Sequence, residues 1–267
     1  TNPHAAPRAC PLFEECGGRA KDAARTPGHV EVADALAQKA RVSLGVWKTE
    51  MLCLRPSRSH AVLPEFDHAI HVKPSRTIHW DAAATLVAGM DFGYRAPTVI
   101  LWAMLQPDRT LTIFAEHVEC ERLIEEHAAT LLSPPPHLPI GAPTPAPLLT
   151  MIGVDPAGSG VTEHVGKSCV QILRAYGLNA IYQPSKIEHG LERIRVRFRP
   201  ADPSKPPRLF ISDACPKLIE ALERYHYDPS RPDSTTPIKD GHDHPIDALR
   251  YLLINLDRPC TTRLLAS

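Results

Sequence analysis

Residues 85–91 read Thr85-Leu86-Val87-Ala88-Gly89-Met90-Asp91, an apolar run that ends in a carboxylate. A short apolar run of this kind predicts a buried strand. After a turn at Gly93, residues 96–105 (APTVILWAML) form a second run, and residues 110–118 (TLTIFAEHV) alternate as a third strand. Three strands joined by short turns predict an antiparallel meander.

Helical and extended patterns alternate on the C-terminal side of this meander. Helices are predicted over 119–132, 164–176, 185–197, 215–227 and 244–256, and strands at 150–155, 178–183 and 206–212. Between them, residues 134–147 hold seven prolines and predict a surface insertion. Upstream, residues 30–45 have helical spacing, and residues 47–73 are interpreted as an extended linker with short structured elements. The whole pattern predicts an α/β domain with a mixed sheet flanked by helices.

Composition excludes several classes of protein. The chain has 267 residues, 43% of them hydrophobic, and a formal net charge of +0, which argues against a disordered chain and against a basic nucleic-acid coat. No apolar run approaches the length of a membrane span, and the N-terminus does not resemble a signal peptide. The seven cysteines are odd in number and widely spaced, so we expect reduced thiols. Because the chain begins with Thr1 rather than Met, we expect a fragment of a longer protein.

Two carboxylates stand at the ends of predicted strands. Asp91 ends the first strand and Asp155 ends the strand that begins at residue 149. Each is costly to bury unless it is paired or binds a cation, and a divalent cation relieves the repulsion between two such neighbours. Taken alone, either aspartate also fits an ordinary loop or helix-cap role.

A third acidic group opens the last predicted helix. Asp243 suits an N-cap, whereas His244 and Asp247 are spaced i, i+3 and lie on one helix face. Two strand carboxylates and a helical acid form the arrangement that holds two Mg²⁺ or Mn²⁺ ions for phosphodiester hydrolysis. Oxygen ligands suit Mg²⁺, and one histidine is compatible with Mn²⁺.

Several motifs in order resemble the large subunit of tailed-phage terminases, in particular its C-terminal ribonuclease H-like nuclease domain. They lie at residues 89–93 with 96–97, 153–157, 186–195 and 243–251, and upstream at 47–53 with 55–58, 10–12 and 16–21. The resemblance implies a ribonuclease H-like mixed sheet and a metal-dependent endonuclease that cuts concatemeric DNA. It maps the metal ligands to Asp91, Asp155 and the group Asp243, His244 and Asp247. At the third position Asp247 is ranked first, and the choice stays open.

The resemblance also implies a domain division and partners. Residues 1–80 are expected to be a linker and remnant, and residues 81–267 the nuclease domain. Residues 161–168 end in Gly-Lys-Ser but lack the first glycine of a P-loop, so the ATPase motor is expected to be absent from this chain. The implied partners are double-stranded DNA, the portal protein, the terminase small subunit and that motor. The implied location is the host cytoplasm, without a membrane.

Basic residues near the predicted site suggest where DNA would bind. Residues 185–208 hold seven basic and three acidic side chains, an excess in a neutral chain. Such a surface would contact phosphates without reading sequence, although a helix face with internal salt bridges has the same composition. The candidate DNA-binding residues are Lys167, Lys186, Arg193, Arg195, Arg197 and Arg199.

Two other functions remain open at this point. One is a ribonuclease H-like resolvase or transposase, against which the motif at residues 47–58 argues. The other is a non-catalytic module that docks on the portal or survives as a prophage remnant. Metal binding by Asp91, Asp155 and Asp247 would separate the enzyme from that module.

Overall fold

The structure is a computed structural model, and it describes residues 11–16, 30–43, 46–47, 51–52, 60–160, 166–200, 202, 204–228, 230–231 and 236–257. Contacts divide the chain into two compact units, Thr1–Arg58 with Arg199–Pro206, and Ser59–Phe198 with Pro207–Ser267. The first unit holds α1 (Phe13–Cys16) and α2 (Val32–Lys39), which are joined by an ion pair between Lys39 and Glu15.

The second unit is built on a seven-stranded mixed sheet. The strands are β1 (Val72–Lys73), β2 (Thr85–Asp91), β3 (Thr98–Leu105), β4 (Leu111–Glu119), β5 (Leu149–Val154), β6 (Ala180–Ile181) and β7 (Leu209–Ser212). Their order is β1-β7-β4-β3-β2-β5-β6. The β2-β3-β4 meander is antiparallel, and the pairings of β1 with β7, β4 with β7, β2 with β5 and β5 with β6 are parallel. The predicted mixed sheet is confirmed.

Helices cover both faces of the sheet. They are α3 (His68–His71), α4 (Ile124–Leu132), α5 (Cys169–Ala175), α6 (Ile187–Phe198), α7 (Pro216–Arg224) and α8 (Asp243–Leu256). The core is correspondingly in two parts. In one, α6, α7 and α8 pack on the sheet through residues such as Leu191, Leu222 and Leu252. In the other, α4 and α5 pack on it through residues such as Leu131 and Leu173.

Helix α8 packs tightly on the sheet over two glycines. Gly89 of β2 and Gly153 of β5 lie opposite each other in the parallel pairing. A Cβ atom on Gly89 would lie 2.3 Å from the backbone oxygen of Ala248, and one on Gly153 would lie 2.5 Å from that of Tyr251. Glycine at both positions therefore lets α8 rest on the backbone of the two strands that carry the predicted carboxylates.

One short strand of the sheet was not predicted by itself. The region interpreted as a linker contains β1, which pairs with β7, because a two-residue strand is too short for an alternating pattern to show. Residues 59–80 belong to the same compact unit as the sheet, and a boundary between linker and nuclease domain after residue 80 stays a prediction. Residues 10, 17–21, 48–50, 53 and 55–58 of the upstream motifs, and 161–165, lie outside the described residues.

Two further observations concern the chemistry of the described residues. Cys120, Cys169 and Cys215 are free thiols. Within the same part of the chain, no helix is both long enough and apolar enough to cross a membrane.

Candidate metal centre

Asp91 and Asp155 lie at the carboxyl ends of neighbouring parallel strands. Met90 pairs with Val154, and the backbone N–H of Asp155 donates to the carbonyl of Met90 at 3.3 Å. Asp91 is buried, with 5% of its surface exposed. Asp155 is half-buried, and its side chain accepts from the N–H of Ala157 at 3.0 Å. Both carboxylates thus sit at one edge of the sheet, as predicted for parallel strands.

The two loops that follow these carboxylates are packed against each other. A Cβ atom on Gly158 would lie 2.1 Å from the ring of Phe92, so the ring occupies the space above this glycine. Phe92 directly follows Asp91, and Gly158 lies in the 3₁₀ turn Pro156–Ser159 that follows Asp155. This contact fixes the distance between the two loop backbones.

The first turns of α8 bring the third acidic group to the same edge. The His244 ring shares a hydrogen bond between Nδ1 and Oδ2 of Asp91, at 2.9 Å. Buried Asp243 accepts from the N–H of Gly241 at 3.0 Å through Oδ1. One turn further, Asp247 accepts from Nε of Arg250 at 2.9 Å through Oδ1. Of these side chains, His244 contacts Asp91 directly, and Asp247 lies near enough for its charge to affect Asp91.

Burial and like charge together make Asp91 an unusual carboxyl group. Burial is the main cause that raises the pKa of Asp91 to about 6; the hydrogen bond from His244 opposes it, and the negative charges of Asp247 and Asp155 reinforce it. The same hydrogen bond, to Asp91, raises the pKa of His244. Burial also raises the pKa of Asp247, against the opposing charge of Arg250. The carboxylates are thus close enough to repel one another.

The side chains nevertheless do not form a closed metal cage. Among the residues that the structure describes, no three His, Cys, Asp or Glu side chains converge closely enough to hold an ion. Instead, His244 engages Asp91 and Arg250 engages Asp247. The carboxylate oxygens at this site are the ligands that a hard divalent cation prefers. In the present side-chain positions, however, His244 and Arg250 offset the charges of Asp91 and Asp247.

Three of the predicted DNA-binding arginines are engaged inside the protein. Arg193 and Arg197 donate to Asp257 at 3.0 Å and 2.7 Å. Arg195 is buried; it donates to the carbonyl of Val62 at 3.0 Å and also contacts Glu188. These contacts favour a structural role for Arg195 and Arg197, because each guanidinium already donates to several acceptors within the protein.

The remaining predicted basic residues are open to solvent. Lys167 precedes α5, Lys186 precedes α6, and both are exposed. Arg199, in the first unit, is exposed as well. The side chain of Arg193 is 40% exposed despite its contact with Asp257. Lys167, Lys186 and Arg199 can contact phosphate without first breaking an ion pair among the described residues, whereas Arg193 also pairs with Asp257.

The sequence analysis missed two contributors to this site. Arg250 lies i+3 from Asp247 on α8, a spacing that places both on one helix face and could have revealed the pair. The contact of Phe92 with Gly158 had no such signal, because it joins two loops distant in sequence. A further carboxylate, Glu116 of β4, has a structural partner: it accepts from the N–H groups of Lys217 and Leu218 and so caps α7.

Comparisons with known proteins agree with this fold. Residues 144–256 match the family model of the terminase RNaseH-like domain. The chain is similar to the large terminase of a thermophilic bacteriophage, with 16% identity and a TM-score of 0.65 over 85% of this chain and 53% of that protein. The same protein in complex with ADP gives 16% identity and a TM-score of 0.63, over 87% and 53%. The chain thus spans about half of the length of this terminase.

A second phage provides a nuclease domain alone. The P22 large terminase nuclease domain is similar at 12% identity and a TM-score of 0.55, over 74% of this chain and 93% of that domain. No curated protein matches the chain in sequence. The family-model match thus covers β5 to α8, and the similarity to these solved terminase structures shows a shared fold.

Proposed function

We propose that the chain is a metal-dependent DNA endonuclease of a phage packaging terminase, which cuts concatemeric DNA by two-metal phosphodiester hydrolysis. The observation that carries this proposal is the burial of Asp91 beside Asp155 and Asp247, at an edge of the sheet reached by the first turns of α8. Carboxylates that lie near one another at the end of a buried strand are costly to ionise, and a bound divalent cation would offset their charge. The terminase RNaseH-like family match points to the same chemistry.

The residues that would hold the cations are Asp91, Asp155 and Asp247, with Asp243 or His244 completing the set. Mg²⁺ or Mn²⁺ bound there would supply Lewis-acid activation of a water and stabilisation of charge at phosphorus. Since His244 and Arg250 occupy oxygens of Asp91 and Asp247, cation binding includes a rearrangement of these side chains. The other oxygens of the carboxylates stay available as ligands.

The chain's own residues prepare the site before a cation binds. His244 holds a proton between its Nδ1 and Oδ2 of Asp91, which limits the repulsion within the carboxylate group. Gly89 and Gly153 let α8 approach the strands, and Phe92 on Gly158 fixes the neighbouring loop. These contacts would keep the three carboxylates near one edge of the sheet before a cation binds.

DNA would be held through its phosphates, with no element suited to reading base edges among the described residues. Lys167, Lys186, Arg193 and Arg199 are the candidates with exposed side chains, whereas Arg195 and Arg197 would support α6 from within. Binding of this kind is independent of sequence and weakens steeply with salt. The portal protein, the small subunit and the ATPase motor are the proposed partners, and the infected host cytoplasm is the proposed location.

Cleavage of supercoiled plasmid tests this function. The purified chain is incubated at low salt with Mn²⁺, with Mg²⁺, and with a chelator in place of metal. We expect nicked and linear products only when a divalent cation is present. No cleavage in any condition, together with no calorimetric binding of Mn²⁺, would favour a non-catalytic docking module. Cleavage confined to branched DNA would favour a resolvase.

A further inference from the structure

Asp247 has a buried cation as its neighbour on α8. Arg250 is 4% exposed, and its Nε donates to Oδ1 of Asp247 at 2.9 Å. The second oxygen of Asp247 is left outside this contact. A guanidinium in this position offsets the charge of the carboxylate. It also limits rotation of the Asp247 side chain, because the N–H of a planar guanidinium points in one direction.

Arg250 is itself held in place from two sides. Its guanidinium lies over the ring of Tyr251, with Cζ 4.3 Å from the ring centroid. On the other side is Gly190 of α6, where an added Cβ would lie 2.0 Å from Cγ and 2.3 Å from Cδ of Arg250. The stem of Arg250 therefore fills the space that a larger residue at position 190 would need. An arginine packed in this way loses little further rotamer freedom when it binds Asp247.

The geometry points to Arg250 as a positioning residue, which fixes the carboxylate of Asp247 so that one oxygen faces the cation site. Gly190 leaves the space that the stem of Arg250 needs. This inference rests on the proposed function, since it assigns Asp247 as a ligand. Partners that orient a ligand in this way typically contribute about 10- to 100-fold to metal affinity or activity. The role predicts an effect on cation binding that is separable from folding.

Three variants test the role, with Mn²⁺ alone as the probe. Arg250→Lys keeps the charge but loses the planar fork, and Gly190→Ala forces the stem of Arg250 to move while improving the helix propensity of α6. Arg224→Lys is the matched control, since Arg224 is exposed on α7 and pairs with Glu220 at 3.0 Å. For each, the Kd of Mn²⁺ is measured by calorimetry, Tm by thermal denaturation, and plasmid nicking as a function of Mn²⁺ concentration.

We expect Arg250→Lys and Gly190→Ala to weaken Mn²⁺ binding by about 10- to 100-fold, with a matching rise in the half-saturating Mn²⁺ concentration for nicking. The maximal rate at saturating Mn²⁺ should fall much less, and Arg224→Lys should change none of these values. In an Asp247→Asn background, Arg250→Lys should weaken Mn²⁺ binding no further. If Arg250→Lys does not fold, Gly190→Ala carries the comparison.

Two different failures are distinguishable. A wild-type chain that binds Mn²⁺ and nicks DNA, with unchanged Mn²⁺ affinity in both variants and only a lower Tm, would overturn the positioning role and leave the proposed function intact. A wild-type chain that neither binds Mn²⁺ nor nicks DNA would overturn the proposed function, and the role of Arg250 with it.

Discussion

Substitution of Gly89 by alanine is the sharpest test of how the site is built. Gly89 lies on β2 two residues before Asp91, beneath the backbone of α8. A Cβ at this position would come within 2.3 Å of the carbonyl oxygen of Ala248 and 2.7 Å of Cβ of Leu252. Neither atom is the mobile end of a long side chain, so α8 or β2 must move as a unit.

The distances give the size of the effect. Restoring ordinary van der Waals contact requires α8 to move away by about 1 Å. The hydrogen bond of His244 with Asp91 is 2.9 Å long, so such a shift takes it beyond hydrogen-bond length. Overpacking of this kind costs about 1–3 kcal/mol in the free energy of unfolding. A displacement of about 1 Å at a catalytic group can reduce the rate by about 10²-fold.

The assay compares Gly89→Ala with Gly160→Ala as a matched control. A Cβ on Gly160 would have its nearest neighbour at 3.4 Å, an ordinary contact. Urea denaturation gives the free energy of unfolding, and plasmid nicking with saturating Mn²⁺ gives the rate. We expect Gly89→Ala to remain folded, with its rate reduced far more than that of the control. A Gly89→Ala chain with the nicking rate of the wild type would refute the argument that close packing of α8 assembles the site.

Three further predictions concern other parts of the molecule. Burial lowers the pKa values of His117 and His127, so the free energy of unfolding should fall as the pH drops below about 6.5. Thermal denaturation at about pH 7.5 and about pH 5.5 should show a smaller loss of stability at the lower pH for His127→Gln than for the wild type. Equal losses of stability in the two chains would contradict this. Asp257→Asn removes the charged partner of Arg197 and should lower the free energy of unfolding by about 2 kcal/mol in urea denaturation; an unchanged midpoint would argue against that pair. Lys186→Gln should weaken DNA binding and reduce the slope of log affinity against log salt by about 1, measured by fluorescence anisotropy, and an unchanged slope would remove Lys186 from the DNA surface.

The strands of the meander were predictable because their apolar runs end at turn residues. Asp91 ends β2 as predicted, and the run before Asp155 forms β5. Because β2 and β5 are parallel neighbours, the two carboxylates that follow their ends lie at the same edge of the sheet. The last helix, α8, was predicted within one residue of its start, but its N-cap is His242, and Asp243 is its first helical residue rather than the N-cap.

The parts that sequence could not supply are contacts between distant segments. The excess of arginines in residues 185–208 suggested a DNA surface, but their composition is equally that of an internal salt-bridge network. Arg197 pairs with Asp257, which lies beyond the end of α8, and Arg195 reaches the carbonyl of Val62. Only the packing of α6 against these segments decides which arginines are engaged and which are exposed.

The central claim, that the buried carboxylate of Asp91 takes part in metal-dependent cleavage, is tested most directly by the nicking rate of Asp91→Asn. The amide keeps the shape of the side chain and its place beside His244 while removing the negative charge. Asp108→Asn, at the exposed turn between β3 and β4, is the control. We predict that Asp91→Asn folds and no longer nicks plasmid with Mn²⁺, while Asp108→Asn nicks as the wild type does. A folded Asp91→Asn chain with the wild-type rate would contradict the account.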